Sequence, residues 1–368
     1  MPAPSENAQG HALARFFEQT HIPIPDTGSI LAIRSTSTAG LSGFEPRRIT
    51  CLQTERRHAA ALERAGLKVV SEASGSFNLC LIEATRDREE NLYHIALGWS
   101  LLAPGGMLVL TAANSLGGES LGKKLRDCGL PVASVYSKAK CRVIALTRPP
   151  DCDTPPPPEW LALGAFKEIP GAGLVAGPGM FSAHAIDAGT RLLCDALDGP
   201  LTGWGADFGA GYGALSRHVL ERSPDLRALD LYESEAKALA AARRNLAAWE
   251  DRVELGYHWT DLTATLPTQR YDWIVMNPPF HSGSATEPAL GQQFIATAAN
   301  SLRPRGTLWL VANRHLPYET LLATRFSHVV DLGQTAGYKV YRASHPIDTR
   351  RNERSPRLTS QRGRHRDG

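Results

Sequence analysis

No apolar run in this sequence approaches the ~18 residues of a membrane-spanning helix, so no span is expected. The opening MPAPSENAQG has neither a basic segment nor an apolar core, so it does not read as a secretory signal. No CxxC pair occurs among the six cysteines, Cys51, Cys80, Cys128, Cys141, Cys152 and Cys194, and several lie within apolar runs. This pattern argues against a disulfide framework and a thiolate zinc site. It points to reduced, mostly buried thiols in a cytoplasmic protein without a structural metal. A strong charge of one sign is missing too, the formal net charge being +3. That charge is uneven. Residues 350–368 carry seven Arg against Glu353 and Asp367, a net of +5, which leaves −2 on the first 349 residues. A near-neutral body with a basic tail suits a polyanionic partner met through one segment, or a tail that only solubilises.

What is present is an ordinary core supply, 42% apolar with seven Trp, in a chain long enough for two domains. PPDCDTPPPP at 149–158 holds six prolines in ten residues and reads as a stiff spacer. It separates a unit at 1–148 from one at 159–348, with Trp160 or Phe166 beginning the second, and 349–368 read as a disordered tail. In each unit short apolar strands alternate with amphipathic helices, which predicts a mostly parallel α/β sheet. The units also echo each other. LLAPGGMLVL at 101–110 lines up with SLRPRGTLWL at 301–310, and FNLCLIE at 77–83 with YDWIVMN at 271–277. Offsets of about 200 residues favour duplication of one fold. The copies differ at their strand ends, where Glu83-Ala84-Thr85-Arg86 stands against Asn277-Pro278-Pro279-Phe280. The first unit also lacks a glycine turn, so it reads as a degenerate copy.

In ADFGAGYGALSRHVL (206–220), Asp207 is predicted at a strand end, followed by Gly209, Gly211 and Gly213 and then a helix. Glycines allow a tight turn and close approach of backbone to a ligand. The spacing alone fits NAD, FAD, S-adenosylmethionine (SAM) or a bare turn. Asp230 is read as ending the next strand, where a carboxylate can accept from both ribose hydroxyls, or as a surface acid or helix cap. SAM has no phosphate, so Asp207 in the turn favours it over a dinucleotide. Asp261, in HWTDLTA, is placed to accept from an adenine amine or to cap a short helix.

MNPPF follows the apolar strand YDWIV. Pro278 and Pro279 have no N–H and cannot extend a sheet interior, so the chain leaves there in a stiff turn. An exocyclic base amine is a weak nucleophile because its lone pair is delocalised. The Asn277 side-chain oxygen and the Pro278 carbonyl can accept its two N–H groups, and Phe280 can stack on the base. The alternative is a proline-rich strand exit over a buried Phe. Glycine turn, acidic strand end and NPPF, in that order, are stronger together than singly.

GMFSAHAIDAGTRLL (179–193), DFGAGYGALS (207–216), MNPPFHSG (276–283), VANRHLPY (311–318) and GYKVYRA (337–343) carry a family resemblance. The second half resembles class I SAM-dependent methyltransferases acting on an exocyclic or amide nitrogen. The whole chain resembles the bacterial small-subunit rRNA guanine-N2 methyltransferase family that modifies helix 34, the first half mainly through its layout. The resemblance implies two tandem Rossmann-like domains, mostly parallel sheets with helices on both faces, only the second keeping the SAM site. It implies that Asp207, Gly209, Gly211 and Asp230 bind SAM, and that Asn277 and Phe280 hold the guanine of 16S rRNA in the 30S subunit. It places His281 near base or phosphate, or as a structural histidine. Phe181, Ser182, His184 and Asp187 would line the entry, with Asp187 equally a helix-start residue. VANRHLPY also resembles a sister family acting on large-subunit rRNA.

Contacts away from the pocket must offset the cost of flipping a base. Arg314, His315, Lys339 and Arg342, with Arg47, Arg48, Arg56 and Arg57 in the first half, are the candidates, the clusters at 47–57 and 350–366 foremost. The competing functions are an adenine-N6 methyltransferase, a protein-glutamine methyltransferase and a non-catalytic RNA-binding assembly protein. A monomer is expected.

Overall fold

The computed structural model describes residues 8–20, 22, 27–151, 155–279, 281–282, 285–286, 288–335 and 337–347, the short stretches at 281–286 by backbone alone. The first half holds α1 (Ala8–Gln19), β1 (Ile30–Ile33), β2 (Ile49–Leu52), α2 (Arg56–Arg64), β3 (Lys68–Val70), β4 (Phe77–Glu83), α3 (Arg88–Ser100), β5 (Leu102–Ala113), α4 (Gly118–Asp127), β6 (Val132–Lys138) and β7 (Cys141–Thr147). The junction holds α5 (Pro158–Ala162) and the hairpin β8 (Lys167–Ile169) and β9 (Leu174–Ala176). The second half holds α6 (Ala188–Ala196), β10 (Gly203–Phe208), α7 (Ala214–Arg222), β11 (Leu226–Glu233), α8 (Ala236–Leu246), β12 (Glu254–Trp259) and β13 (Tyr271–Met276). It continues with the ribbon β14 (His281–Ser282) and β15 (Ala285–Thr286), then α9 (Pro288–Ser301), β16 (Leu302–Asn313), α10 (Glu319–Arg325), β17 (Phe326–Gln334) and β18 (Tyr338–Pro346).

Each half builds one seven-stranded sheet. The orders are β3-β2-β1-β4-β5-β7-β6 and β12-β11-β10-β13-β16-β18-β17, the same topology strand for strand. Five strands of each are parallel, and the last two join through antiparallel pairs, so that only β7 and β18 run against the rest. A parallel sheet is covered on both faces, so its central strands are apolar throughout. Alternation along β13 shows this: Ile274 and Met276 pack under α9 with Phe294 and Ile295, while Trp273 and Val275 face Leu193 of α6 and Val219 of α7. The tandem Rossmann-like architecture expected from the sequence is therefore the one observed.

The proline segment divides the cores differently from the expectation at one residue. Trp160 is buried against Leu92, Ile95 and Trp99 of the first half, so α5 closes the first core. Phe166 packs with Met180 and Tyr212 of the second. The ring of Trp160 is too large an apolar surface to leave in a spacer, and the groove beside α3 takes it. Within 149–158, residues 152–154 lie outside the described residues, as does 348–368 with the Arg-rich segment.

The halves meet through equivalent corners. The β2–α2 corner lies against the β11–α8 corner, where Glu55 and Glu235 form an antiparallel bridge. Arg56 N donates to Ser234 O at 2.8 Å and Ala236 N donates to Thr54 O at 2.8 Å, a reciprocal pair. Glu55 and Glu235 each cap the helix they precede, accepting from its first backbone N–H groups. The contact has the form of an isologous interface between two copies of one fold. Charges seal it. Arg34 Nη1 donates to Glu235 Oε2 at 3.0 Å, and Lys237 pairs with Glu90. Arg56 sits 4.9 Å from the centre of the Trp259 ring, which ties this expected RNA contact to the domain interface instead.

Candidate active site

The carboxyl ends of β10, β11 and β13 lie level, Phe208 pairing with both Tyr232 and Met276. The strand order reverses between β10 and β13, which is where open α/β sheets take ligands. A cavity of about 490 Å³ opens there, lined by Asp207, Gly209, Gly211, Glu233, Asp261, Asn277, Pro278 and Pro279. Phe181, Ser182 and Asp187 border it, and so do Glu55, Arg57 and His58 from the first half.

The glycine turn shapes one wall. Gly209 and Gly211 have φ of 77° and 55°, values that favour glycine. A Cβ on Gly209 would lie 3.6 Å from Phe294 and 3.9 Å from the Asn277 carbonyl oxygen, ordinary contacts, so it is the left-handed backbone and not crowding that favours glycine there. Gly213 does a different job from the cofactor contact expected of it. A Cβ there would lie 3.2 Å from Ala242, and Gly213 does not line the cavity. It lets α7 start close to the alanine-rich α8.

Asp207 is buried at the cavity floor, accepting from Ser216 Oγ at 2.7 Å. Burial pushes its carboxyl up to about 7, against the lowering effect of the Ser216 hydrogen bond and with the help of nearby Glu233. Asp230 corrects a second expectation. β11 runs three residues past it to Glu233, which puts Asp230 inside the sheet. Its oxygens accept from Tyr271 Oη at 2.7 Å and Trp204 Nε1 at 3.2 Å, and face His258 Nε2 at 3.0 Å. Burial opposes the charged form, yet these partners hold its carboxyl below the ordinary range. The acid at the strand end is Glu233, which accepts from Gly211 N and Glu235 N, both at 2.8 Å. Asp261 borders the cavity, but its Oδ1 accepts from Thr263 N at 2.9 Å and Thr263 Oγ1 at 2.6 Å, a turn-capping role.

Asn277 stands at the opposite wall. Its Nδ2 donates to Asp187 Oδ2 at 3.0 Å and to Thr190 Oγ1 at 2.9 Å. Its Oδ1 is buried and has no partner among the described residues. Phe280 lies outside the described residues, as does the side chain of His281. Arg314 is exposed in the turn after β16 and does not line the cavity, so it is not brought to the site. His184, also exposed, does not line it either. Lys339 is paired with Glu319, and Arg342 with Asp198 at 3.3 Å. Among the described residues no cluster of His, Cys, Asp and Glu could hold a metal ion, and no helix is long and apolar enough to cross a membrane.

Glu233, Thr190, Glu55 and His58 escaped the sequence reading, and Arg57, expected as an RNA contact, borders the cavity. The available hint for Glu233 was its place two residues before Glu235, the cap of α8.

Residues 171–342 match the Methyltransferase small domain family. Ribosomal RNA small subunit methyltransferase C of Psychromonas ingrahamii is 30% identical over 259 residues, 69% of this chain and 72% of that protein. The Sodalis glossinidius protein of the same name is 29% identical over 292 residues, 78% of this chain and 80% of its own length. A T. thermophilus 16S rRNA N2 methyltransferase, solved in complex with AdoMet and guanosine, superposes with a TM-score of 0.74 at 26% identity, covering 91% of both chains. Likeness of this extent runs through both sheets and is not confined to the cavity. The chain belongs to the ribosomal RNA small subunit methyltransferase C family.

Proposed function

We propose that this protein transfers the methyl group of S-adenosylmethionine to the exocyclic N2 of a guanine in 16S rRNA, in helix 34 of the small subunit. The observation that carries the reading is the buried Oδ1 of Asn277, which has no partner among the described residues, at the cavity wall opposite the glycine turn. A buried acceptor without a donor is costly, and a ligand N–H is the natural partner for it.

The residues present fit S-adenosylmethionine. Asp207 is a buried carboxyl pushed up to about 7, which a cationic ligand would draw into its charged form. Glu233, held by Gly211 N, keeps lone pairs for ribose hydroxyls. Gly209 and Gly211 let backbone approach the ligand, and Leu262 beside Asp261 supplies apolar wall. When bound, S-adenosylmethionine supplies an electrophilic methyl group on a sulfonium.

The chain's own part is positioning. Asn277 Oδ1 accepts one N–H of the guanine amine, and the Pro278 carbonyl accepts the other. Two fixed acceptors favour a pyramidal nitrogen whose lone pair faces the methyl group. Phe280 stacks on the base. The catalytic unit lies within 159–348, its opening helix α5 packed on the degenerate partner domain of 1–148; 149–158 is the spacer and 349–368 a basic tail. The substrate is the rRNA within the 30S subunit, met by a monomer in the cytoplasm.

The test is methyl transfer from labelled SAM to 30S subunits lacking the helix 34 modification, beside 50S subunits, naked 16S rRNA and Asn277→Ala protein. Nucleoside mass spectrometry and site mapping should find N2-methylguanosine in helix 34 of the 30S sample, and almost none with the variant. Label on 50S alone, or on adenine or protein, would overturn the proposal.

A further inference from the structure

We infer that Asp187 is a positioning residue that fixes which way the Asn277 amide faces, and so makes it an acceptor for the substrate amine. This rests on the reading of Asn277 given above. An asparagine amide can present either its oxygen or its NH₂ to a ligand, and only the oxygen serves to hold an amine. A carboxylate oxygen accepts and cannot donate. With Asp187 Oδ2 at 3.0 Å, the side of Asn277 that faces it must be the NH₂. Thr190 Oγ1, at 2.9 Å, takes the second N–H. The oxygen is left buried at the cavity wall, unbonded among the described residues.

Asp187 is itself held from three sides. It caps α6, its Oδ2 accepting from Thr190 N at 3.0 Å. Tyr338 Oη donates to its Oδ1 at 3.3 Å. Gly189 leaves no spare room, since a Cβ there would fall 2.9 Å from Asp187 Oδ2 and 2.9 Å from the Tyr338 ring. Three separated stretches, 181–190, 276–279 and 337–341, thereby converge on the Asp187–Asn277 pair. Their convergence explains why a helix-start aspartate lines the cavity, which its capping role alone does not require.

The experiment exchanges the two side chains. Asn277→Asp sets two carboxylates against each other, and Asp187→Asn/Asn277→Asp reverses donor and acceptor. We expect Asp187→Ala to lower kcat by about 10²-fold with KM within about threefold, the size of losing one preorganised donor or acceptor. Asn277→Asp alone should lose at least as much near pH 8 and regain activity as pH falls, because adjacent carboxylates share a proton. The double variant should recover about tenfold over Asn277→Asp and show no such acid recovery. SAM affinity by calorimetry should stay within about threefold throughout. Loss of SAM affinity in Asp187→Ala with kcat unchanged would assign Asp187 to the cofactor and overturn the inference. Strictly additive losses in the double variant would also overturn it. Full activity in Asn277→Ala would instead sink the reading of Asn277 itself, so the two failures are distinct.

Discussion

Gly209, Glu233 and Asn277 stand one residue beyond the level pairing of Phe208, Tyr232 and Met276 in the second sheet. Arg34, Gln53 and Glu83 stand one residue beyond Ile33, Leu52 and Ile82 in the first. The backbone is alike at the turn: φ is 77° at Gly209 and 60° at Arg34, where a side chain is strained. What differs is where the side chains go. Arg34 leaves its own sheet for Thr54 Oγ1 at 2.6 Å and Glu235 Oε2 at 3.0 Å. Gln53 donates to Ser35 O at 2.9 Å, and Glu83 Oε2 accepts from Thr36 N at 3.1 Å and Thr36 Oγ1 at 2.9 Å. The first half has spent its strand ends on internal bonds and on gripping its neighbour. The second has kept a glycine and an acceptor set that borders a cavity; Asn277 Oδ1 and Glu83 Oε1 are both buried with no partner among the described residues, but only Asn277 lines the cavity. One fold thus supports a clamp and a reaction site at the same topological place, which side chains alone decide.

The largest effect should come from importing the first half's residue into the second. Asn277→Glu adds a methylene and a charge where a neutral acceptor is held by Asp187 and Thr190. We expect methyl transfer to fall by about 10³-fold, with SAM affinity within about threefold, in single-turnover and calorimetric assays. Transfer within tenfold of wild type would mean that the amide is not what separates the halves.

The clamp comes next. Glu90 is buried between Arg34, Lys237 and His94; burial raises its pKa, but Arg34 and Lys237 above all outweigh it and hold it down to about 2. A depressed carboxyl contributes stability that is present above its unfolded value of 4.5 and lost as pH falls from there toward 2. Burial also holds His94 down at about 3, so the unfolded chain takes up its proton first, below 6.5. Both act in the same direction. Glu90→Gln should cost about 3 kcal/mol at pH 7 by stranding Lys237, and should flatten the acid limb of denaturant melts. An unchanged acid limb would show that the grip lies in the reciprocal backbone bonds at Glu55 and Glu235.

These contacts mark the limit of what the sequence reveals. Strand and helix alternation, the duplication and the NPP turn were legible because they depend on local pattern and on proline and glycine chemistry. Asp230 was misplaced because LDLYESE offers three acids within six residues, and only pairing with β12 through Trp259 fixes the strand end at Glu233. Arg34 gave no sign of its left-handed backbone. The bond from the Asn277 amide to Asp187 spans 90 residues and that from Tyr338 to Asp187 spans 151, and no local pattern encodes them or the entry of Glu55 and His58 into the cavity.

Asp207 ranks third. Its carboxyl is raised to about 7 by burial, and a cationic ligand selects the ionised form. Below pH 7, SAM binding must therefore release a proton, so affinity should climb as pH rises through about 7 and then level. Asp207→Asn should bind SAM about 10- to 100-fold more weakly with little dependence on pH. Calorimetry in buffers of different ionisation enthalpy reads the proton directly. Equal heats in both buffers at pH 6 would remove Asp207 from contact with the ligand's charge.

Glu83 should give the smallest effect, and it is the counterpart that matters. Burial raises it to about 7, only partly offset by the Thr36 hydrogen bonds. A raised carboxyl has its full stabilising share below the unfolded value of 4.5, and that share is lost as pH climbs toward 7. Glu83→Gln should remove this decline, changing the difference in stability between pH 5 and pH 8 by about 1–3 kcal/mol. It should leave methyl transfer within about twofold, because Glu83 does not line the cavity. Asn277 and Glu83 hold the same place in the same topology, so a loss of transfer comparable to that of Asn277→Glu would mean the first half still takes part in the reaction. A change confined to the pH profile of stability would fix Glu83 as a buried acid kept only by the closed strand ends around it.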